Sequence, residues 1–187
     1  MTTESGSAVP YGDVRTLFSE AEISTRVDEI ARDISAQSTA DILVVAILKG
    51  SFVFTADLIR ALHRAGVRPQ IDFMQLASYG TGTESQGQVE IIRDLTDPLE
   101  GRDVLIVDDI LDSGRTLAFA REQLLYGGAR RVQLCVLLNK QARRVQEVEA
   151  DFVGFECPDE FVVGYGLDHA HFYRELPYIG VLDNPTP

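Results

Sequence analysis

The stretch Val104 to Thr116, VLIVDDILDSGRT, sets an apolar strand in front of two adjacent carboxylates and a turn of small residues that opens a helix. Each part suits a different piece of one ligand. In Asp112-Ser113-Gly114-Arg115-Thr116 the helix start offers unpaired N–H groups and partial positive charge, Gly114 lets the backbone approach closely, and Ser113 and Thr116 add hydroxyl donors. That set fits a phosphate monoester. Asp108 and Asp109 fit vicinal hydroxyls or a hydrated magnesium ion, both of which want carboxylate oxygens. A phosphate cradle beside diol-binding acids describes a phosphorylated ribose. The chain has neither the GxxxxGK[ST] spacing of the nucleotide P-loop nor a GxGxxG turn, so triphosphate hydrolysis and dinucleotide binding lose support. The plainer reading makes Asp108 and Asp109 a strand end and Asp112 a helix cap. Two acids on so hydrophobic a strand weigh against it.

These groups need a scaffold that delivers strand ends to one rim. Ile42 to Leu48 is short and continuously apolar, as in a strand buried on both faces, and Phe52 to Ala65 has helical periodicity closed by Gly66. A second unit follows, with strand Asp103 to Val107, helix Thr116 to Tyr126, the stop Gly127-Gly128, and strand Val132 to Leu138. Between them IDFMQLAS and QVEIIRDL read as strands around Tyr79 to Gly87, whose Gly, Ser and Thr content predicts a mobile excursion. Near the start, Ile23, Val27, Ile30 and Ile34 form one helical stripe, and Ser19 and Glu22 have capping-box spacing. Alternating strands and helices predict an α/β fold, with a twisted, mostly parallel sheet flanked by helices.

With 187 residues, 45% of them hydrophobic, the chain has the size and apolar content of one globular domain, and residues 1–187 are expected to form it. The net charge of −12 argues against nucleic-acid backbones and anionic membranes as partners, so an anionic ligand must be held locally. The two cysteines, Cys135 and Cys157, cannot make a disulfide framework, and the start MTTESGSAVPYGDV has no apolar targeting segment; both predict a cytoplasmic protein.

VLIVDDILDSGRT resembles the phosphoribosyl diphosphate signature of type I phosphoribosyltransferases. Four further blocks narrow the resemblance to the hypoxanthine-guanine phosphoribosyltransferases: ILKGSFVF at 47–54, DFMQLASYG at 72–80, LLNK at 137–140, and DFVGFECPDEFVVGYGLDHAHFYRELPYIGVL at 151–182. The similarity runs over roughly residues 10–182, and its last block is the specific one. It implies the type I phosphoribosyltransferase fold, with a core of about 40–157 and a small hood lobe from the N-terminal segment and about 158–187. It also implies a purine salvage enzyme that, with magnesium, transfers the 5-phosphoribosyl group of phosphoribosyl diphosphate to N9 of hypoxanthine or guanine and releases diphosphate, as a homodimer or homotetramer.

Residue by residue, the resemblance implies that Asp108 and Asp109 face the ribose hydroxyls and, through water, magnesium. Asp112, Ser113, Gly114, Arg115 and Thr116 hold the 5-phosphate, and Asp112 doubles as general base at the purine's imidazole edge. Lys49 and Gly50 meet the diphosphate, and the bond before that lysine can be cis. Lys140 donates to the 6-oxo group, Phe161 stacks on the base and the Val162 carbonyl reads its 2-position. Asp168, beside the base, ligates magnesium; Arg174 contacts the diphosphate; Ser78 and Tyr79 begin a loop that closes over the site. The chain departs from many relatives in having Asp rather than Glu at 108, and Arg at the variable position 115.

Outside that set, Tyr165 reads as a core aromatic, His169 and His171 as solvated imidazoles, both cysteines as inert, and Glu147, Glu149 and Asp151 as a solvated acidic face. A phosphoribosyltransferase-like regulator acting on nucleic acid is the competing reading, but it calls for a basic face, and the basic clusters here are only Arg130-Arg131 and Arg143-Arg144. A xanthine-preferring enzyme stays open as a variant of the first reading.

Overall fold

A computed structural model of the chain describes residues 12–37, 41–79, 88–93, 95 and 97–183. In chain order the elements are β1 (Val14–Phe18), α1 (Glu20–Gln37), β2 (Asp41–Leu48), α2 (Phe52–Arg64), β3 (Arg68–Tyr79), β4 (Gln88–Arg93), β5 (Asp103–Leu111), α3 (Arg115–Tyr126), β6 (Arg131–Asn139), β7 (Phe152–Glu156), β8 (Val162–Val163) and β9 (Ile179–Leu182). A single 3₁₀ turn, Gln141–Arg143, follows β6.

The apolar runs become the centre of a six-stranded sheet of order β4-β3-β2-β5-β6-β7. Pairings β2–β3, β2–β5, β5–β6 and β6–β7 are parallel, and β3–β4 at one edge is antiparallel. Both faces are covered, which is why β2 and β5 read as continuous hydrophobic segments. On one face Ile23, Ile30 and Ile34 of α1 and Phe54 and Leu58 of α2 pack on Val44, Val107 and Leu137; on the other Leu117 and Leu124 of α3 pack on Val45, Ile106 and Leu134. The chain runs outward from β2 to β3 in one direction and from β5 to β6 and β7 in the other. The direction of winding therefore reverses between β2 and β5, and a ligand crevice is expected beyond their carboxyl ends.

A second sheet of three short strands, ordered β1-β9-β8, joins the two ends of the chain, with Val14 opposite Leu182 and Val162 opposite Val181. Ile179 and Val181 of this sheet are buried in the main core. Ser19 and Glu22 form the expected capping box ahead of α1: the Ser19 N–H and Oγ donate to Glu22 Oε2 at 2.9 and 2.5 Å. Among the described residues no helix is long and apolar enough to cross a membrane.

Three readings of the sequence need correction. Strand β5 does not end at the carboxylates but continues to Leu111, because Asp108, Ile110 and Leu111 stay in register with Val136, Leu138 and Asn139 of β6. Ser78 and Tyr79 do not begin a loop: their backbones belong to β3, opposite Val89 and Gln88, and the rest of the expected excursion, 80–87, lies outside the described residues. Asp151 is more than a solvated acid, since its Oδ2 accepts the Leu134 N–H at 2.8 Å and ties the start of β7 to β6.

Candidate active site

The crevice beyond β2 and β5 is a cavity of about 350 Å³. Lys49 and Gly50 line it from the turn after β2, and Asp108 and Asp109 from the end of β5. Asp112, Ser113, Gly114 and Thr116 line it from the turn into α3, and Asp168 and Arg174 from the segment between β8 and β9. Three segments distant in sequence, 49–50, 108–116 and 168–174, thus meet at one rim.

The turn after β2 begins at a cis peptide between Leu48 and Lys49. Buried Ser51 secures it from below, its hydroxyl donating to Ile47 O at 2.6 Å. Gly50 lies so close to Asp109 that a Cβ added to it would sit 1.6 Å from Asp109 Oδ2. Gly166 closes on the same turn from the other side: its own Cβ would lie 2.2 Å from Gly50 O, and its φ of +102° is in the region that favours glycine. Three groups, Gly166, Gly50 and Asp109, are therefore stacked at backbone contact.

Asp108 Oδ1 accepts the Asp109 N–H and Asp109 Oδ1 accepts the Ile110 N–H, each at 2.9 Å. Burial, reinforced by the charge of Asp109, holds the Asp108 carboxyl well above its ordinary range. Burial also raises Asp109, opposed by its hydrogen bonds and by the positive charge of Arg174. Each carboxylate keeps its Oδ2 free of these backbone bonds, and both residues line the cavity. In the next turn Asp112 Oδ1 is buried with no hydrogen-bond partner among the described residues. Gly114 has φ +83° and, rather than Asp112, is the residue that caps α3.

Arg174 Nη2 pairs with Asp168 Oδ1 at 2.7 Å, and its Nη1 donates to Gly166 O at 2.5 Å. Asp168 Oδ2 also accepts the His171 N–H at 2.9 Å. A cation and an anion are thus held facing the cavity as one rigid unit.

Lys140, Phe161, Val162 and Arg115 do not line this cavity, and Arg115 is exposed. The Lys140 N–H donates to Leu111 O at 2.9 Å, which seats this residue one strand from Asp112. Its side chain is buried; Nζ donates to Glu160 O at 3.0 Å and pairs at 3.1 Å with Asp159 Oδ1, which Arg143 Nε also reaches at 3.0 Å. Lys140 and Arg143 hold the Asp159 carboxyl below its usual range. Phe161 is 43% exposed, unusual for a large aromatic, and meets His169 edge to face at 5.3 Å, so His169 is packed rather than simply solvated. Because the Leu182 N–H donates to Phe161 O, Val162 and Val181 are a non-hydrogen-bonded pair. The Val162 carbonyl therefore points outward from the free edge of β8.

Asp159 and Gly166 escaped the sequence reading. Asp159 carried a signal only as an acid two residues before Phe161, and Gly166 as the second glycine of Gly164-Tyr165-Gly166. The apolar walls, among them Leu48, Leu76 and Ile110, carried none. Tyr165 is buried, its hydroxyl donating to Asp57 Oδ2 at 2.5 Å. Cys135 and Cys157 are both buried and free, and burial pushes both thiols up, away from the reactive thiolate.

No cluster of three or more His, Cys, Asp or Glu able to hold a metal ion occurs among the described residues. The buried Asp108–Asp109 pair fits magnesium of the kind that takes one or two carboxylates and fills its remaining positions with water and substrate oxygens.

The phosphoribosyl transferase domain family matches residues 14–170. The hypoxanthine-guanine phosphoribosyltransferase of Bacillus subtilis is 46% identical over 169 residues, 90% of this chain and 92% of that protein. The bifunctional protein TilS/HprT of Listeria monocytogenes is 46% identical over 179 residues; 95% of this chain is covered, and the chain spans 27% of that protein's length. A crystal structure of hypoxanthine phosphoribosyltransferase from Staphylococcus aureus superposes with a TM-score of 0.85 at 42% identity, covering 90% of this chain and 91% of that one. With these relatives matching about nine-tenths of its length or more, the chain belongs to the hypoxanthine-guanine phosphoribosyltransferase family.

Proposed function

We propose that the protein transfers the 5-phosphoribosyl group of phosphoribosyl diphosphate to N9 of hypoxanthine and guanine, forming IMP and GMP and releasing diphosphate. The observation that carries this reading is the convergence, on neighbouring strand ends, of the phosphate turn, the unpartnered Asp112 oxygen and the buried Lys140 ammonium. One face would hold a sugar phosphate, the next a base with an oxygen to be read.

Breaking the bond between the anomeric carbon and diphosphate builds positive charge on the ribose and negative charge on the leaving group. Lys49 and Arg174 lie where they can stabilise the departing diphosphate, and Arg174 keeps its orientation through Asp168 and Gly166 O. Asp108 and Asp109 would bind the ribose hydroxyls, with residues 112–116 on the 5-phosphate. Asp112 Oδ1 would take the proton from the purine as N9 bonds to carbon. Asp168, and Asp108 and Asp109 through water, would hold magnesium, which would supply charge neutralisation at the diphosphate.

Lys140 would donate to the 6-oxo group. Its Nζ already faces two acceptors, Glu160 O and Asp159 Oδ1, and an ammonium has no lone pair with which to accept from a 6-amino group. Phe161 offers an exposed ring face for stacking, and the outward Val162 carbonyl would receive the 2-position donor. The β1-β9-β8 sheet and residues 158–187 would act as a hood over the base, above a core of about 40–157. The assembly expected is a homodimer or homotetramer, for which sedimentation at micromolar concentration is the check.

Incubation with magnesium, phosphoribosyl diphosphate and each of five nucleobases tests the reading directly. IMP and GMP should form. Adenine should be rejected by up to about 10⁴-fold, as expected where a buried donor is left unpaired. Robust AMP synthesis would overturn the assignment of Lys140; preference for xanthine would move the specificity without moving the chemistry.

A further inference from the structure

The face of the phosphate turn that points away from the cavity is gripped by one side chain. Arg144 does not line the cavity; it borders a separate surface depression with Arg121, Asn139 and Glu147. Its half-buried guanidinium spends its donors almost entirely on backbone. Nε donates to Asp112 O at 2.9 Å, Nη2 to Leu111 O at 3.2 Å and to Asn139 Oδ1 at 2.7 Å, and Nη1 to Val148 O at 2.7 Å. The next carbonyl, Ser113 O, accepts the N–H groups of Val145 at 3.0 Å and Gln146 at 3.1 Å. Three successive carbonyls, 111 to 113, are therefore all held from behind.

In a trans peptide the C=O and the following N–H point in opposite directions. Holding Leu111 O, Asp112 O and Ser113 O at the back therefore turns the N–H groups of Asp112, Ser113 and Gly114 toward the cavity. Neither Ser113 nor Gly114 donates its N–H to a protein acceptor among the described residues. We propose that Arg144 is a positioning residue for phosphate recognition: it fixes the peptide planes of the turn so that successive N–H groups face the anion, and so that the Asp112 carboxyl stays at its place on the rim. The charge helps as well, since a guanidinium bonded to these carbonyls polarises the peptides whose N–H groups face the ligand. The proposal rests on the assignment of residues 112–116 to the 5-phosphate.

A merely structural arginine would weaken every ligand alike, so the test compares ligands that differ only in the phosphate. Dissociation constants for IMP and inosine are measured for the unmodified protein, Arg144→Gln and Arg144→Lys, together with melting temperatures and the KM values for phosphoribosyl diphosphate and hypoxanthine. Arg144→Gln should weaken IMP by about 10- to 100-fold, the range for losing charge-assisted hydrogen bonds. Inosine should change by less than about threefold, so the IMP-to-inosine ratio collapses, and the KM for phosphoribosyl diphosphate should rise while that for hypoxanthine holds. Arg144→Lys keeps the charge and the packing of the stem against Gly114 but loses the fork, and should fall between. It also serves if the glutamine variant does not fold. An unchanged ratio in a folded variant, or equal loss for both ligands, overturns the proposal. If the unmodified protein binds inosine as tightly as IMP, the phosphate assignment itself fails, and the role of Arg144 with it.

Discussion

Gly50→Ala is a one-carbon perturbation whose consequence follows from the structure. The new Cβ would lie 1.6 Å from Asp109 Oδ2 and 2.5 Å from its Cγ, whereas ordinary contact begins at 3.4 Å, so the pair must separate by at least 1.8 Å. The Gly50 backbone has little room to retreat, because Gly166 already stands against Gly50 O and Phe52 N–H holds Lys49 O at 3.3 Å. Gly50 is not at positive φ, so the penalty is steric rather than conformational. The mobile partner is the Asp109 carboxylate, which must swing away from its place in the cavity wall, where the proposed function puts the ribose. A displacement above 1 Å at a positioning group costs about 10²-fold in rate, and overpacking costs ~1–3 kcal/mol, or a few degrees of melting temperature in a domain of this size. Steady-state assays should therefore show kcat/KM for phosphoribosyl diphosphate down about 10²-fold, with hypoxanthine binding largely kept. Gly101→Ala is the control: φ is +70° and nothing lies within 4 Å of its Cβ, so it should lose stability and keep activity. Gly50→Ala with kcat/KM within threefold of the unmodified protein would refute the stacking of Gly50 on Asp109 as a constraint on the site.

Asp112→Asn should keep the fold and IMP binding but lower kcat by about 10²-fold or more, the usual loss for a positioned general base; an unchanged kcat removes Asp112 from that role. Lys140→Ala should lower hypoxanthine efficiency far more than adenine efficiency, which parallel assays with the two bases would read as a narrowed ratio. Asp108 offers a prediction on stability against pH. Burial and then the Asp109 charge raise its folded value above 3.8, so its contribution to stability is complete below about pH 3.8 and is lost as pH rises through the raised value. Asp108→Asn should flatten the pH dependence of the melting temperature above pH 4 and melt higher than the unmodified protein at neutral pH without ligand, while its use of phosphoribosyl diphosphate falls; a lower melting temperature at pH 7.5 would contradict the burial cost assigned to Asp108.

Much of this architecture was legible because it is written in local pattern. The apolar runs of β2 and β5, the stripe Ile23, Val27, Ile30 and Ile34, and the Ser19–Glu22 box each answer to a periodicity or spacing confined to one element, and the structure holds them as expected. The turn between β5 and α3 was legible for the same reason: a run of small residues after an apolar strand marks a helix start, and α3 begins at Arg115 behind its cap Gly114. The misjudged end of β5 shows where local pattern stops. Two carboxylates read as a strand terminus, yet pairing of Asp108, Ile110 and Leu111 with β6 overrides that preference. A ladder partner that is itself apolar and buried can carry polar residues along with it.

What stayed illegible is contact between elements far apart in the chain. Nothing near Gly50 announces that Asp109 and Gly166 will press on it from two sides, and nothing near Arg144 announces that its donors will reach Leu111 and Asp112. Arg143 and Arg144 looked interchangeable as a basic pair, yet Arg143 reaches out to Asp159 while Arg144 turns inward to hold backbone carbonyls. Arg143 closes the 3₁₀ turn Gln141–Arg143, whereas Arg144 follows it in extended conformation. Arg143 shares Asp159 with Lys140, and Arg144 bonds the carbonyl of Asp112. Substitutions in 141–148 should accordingly separate the two functions: loss of Arg143 should act on the base, loss of Arg144 on the phosphate.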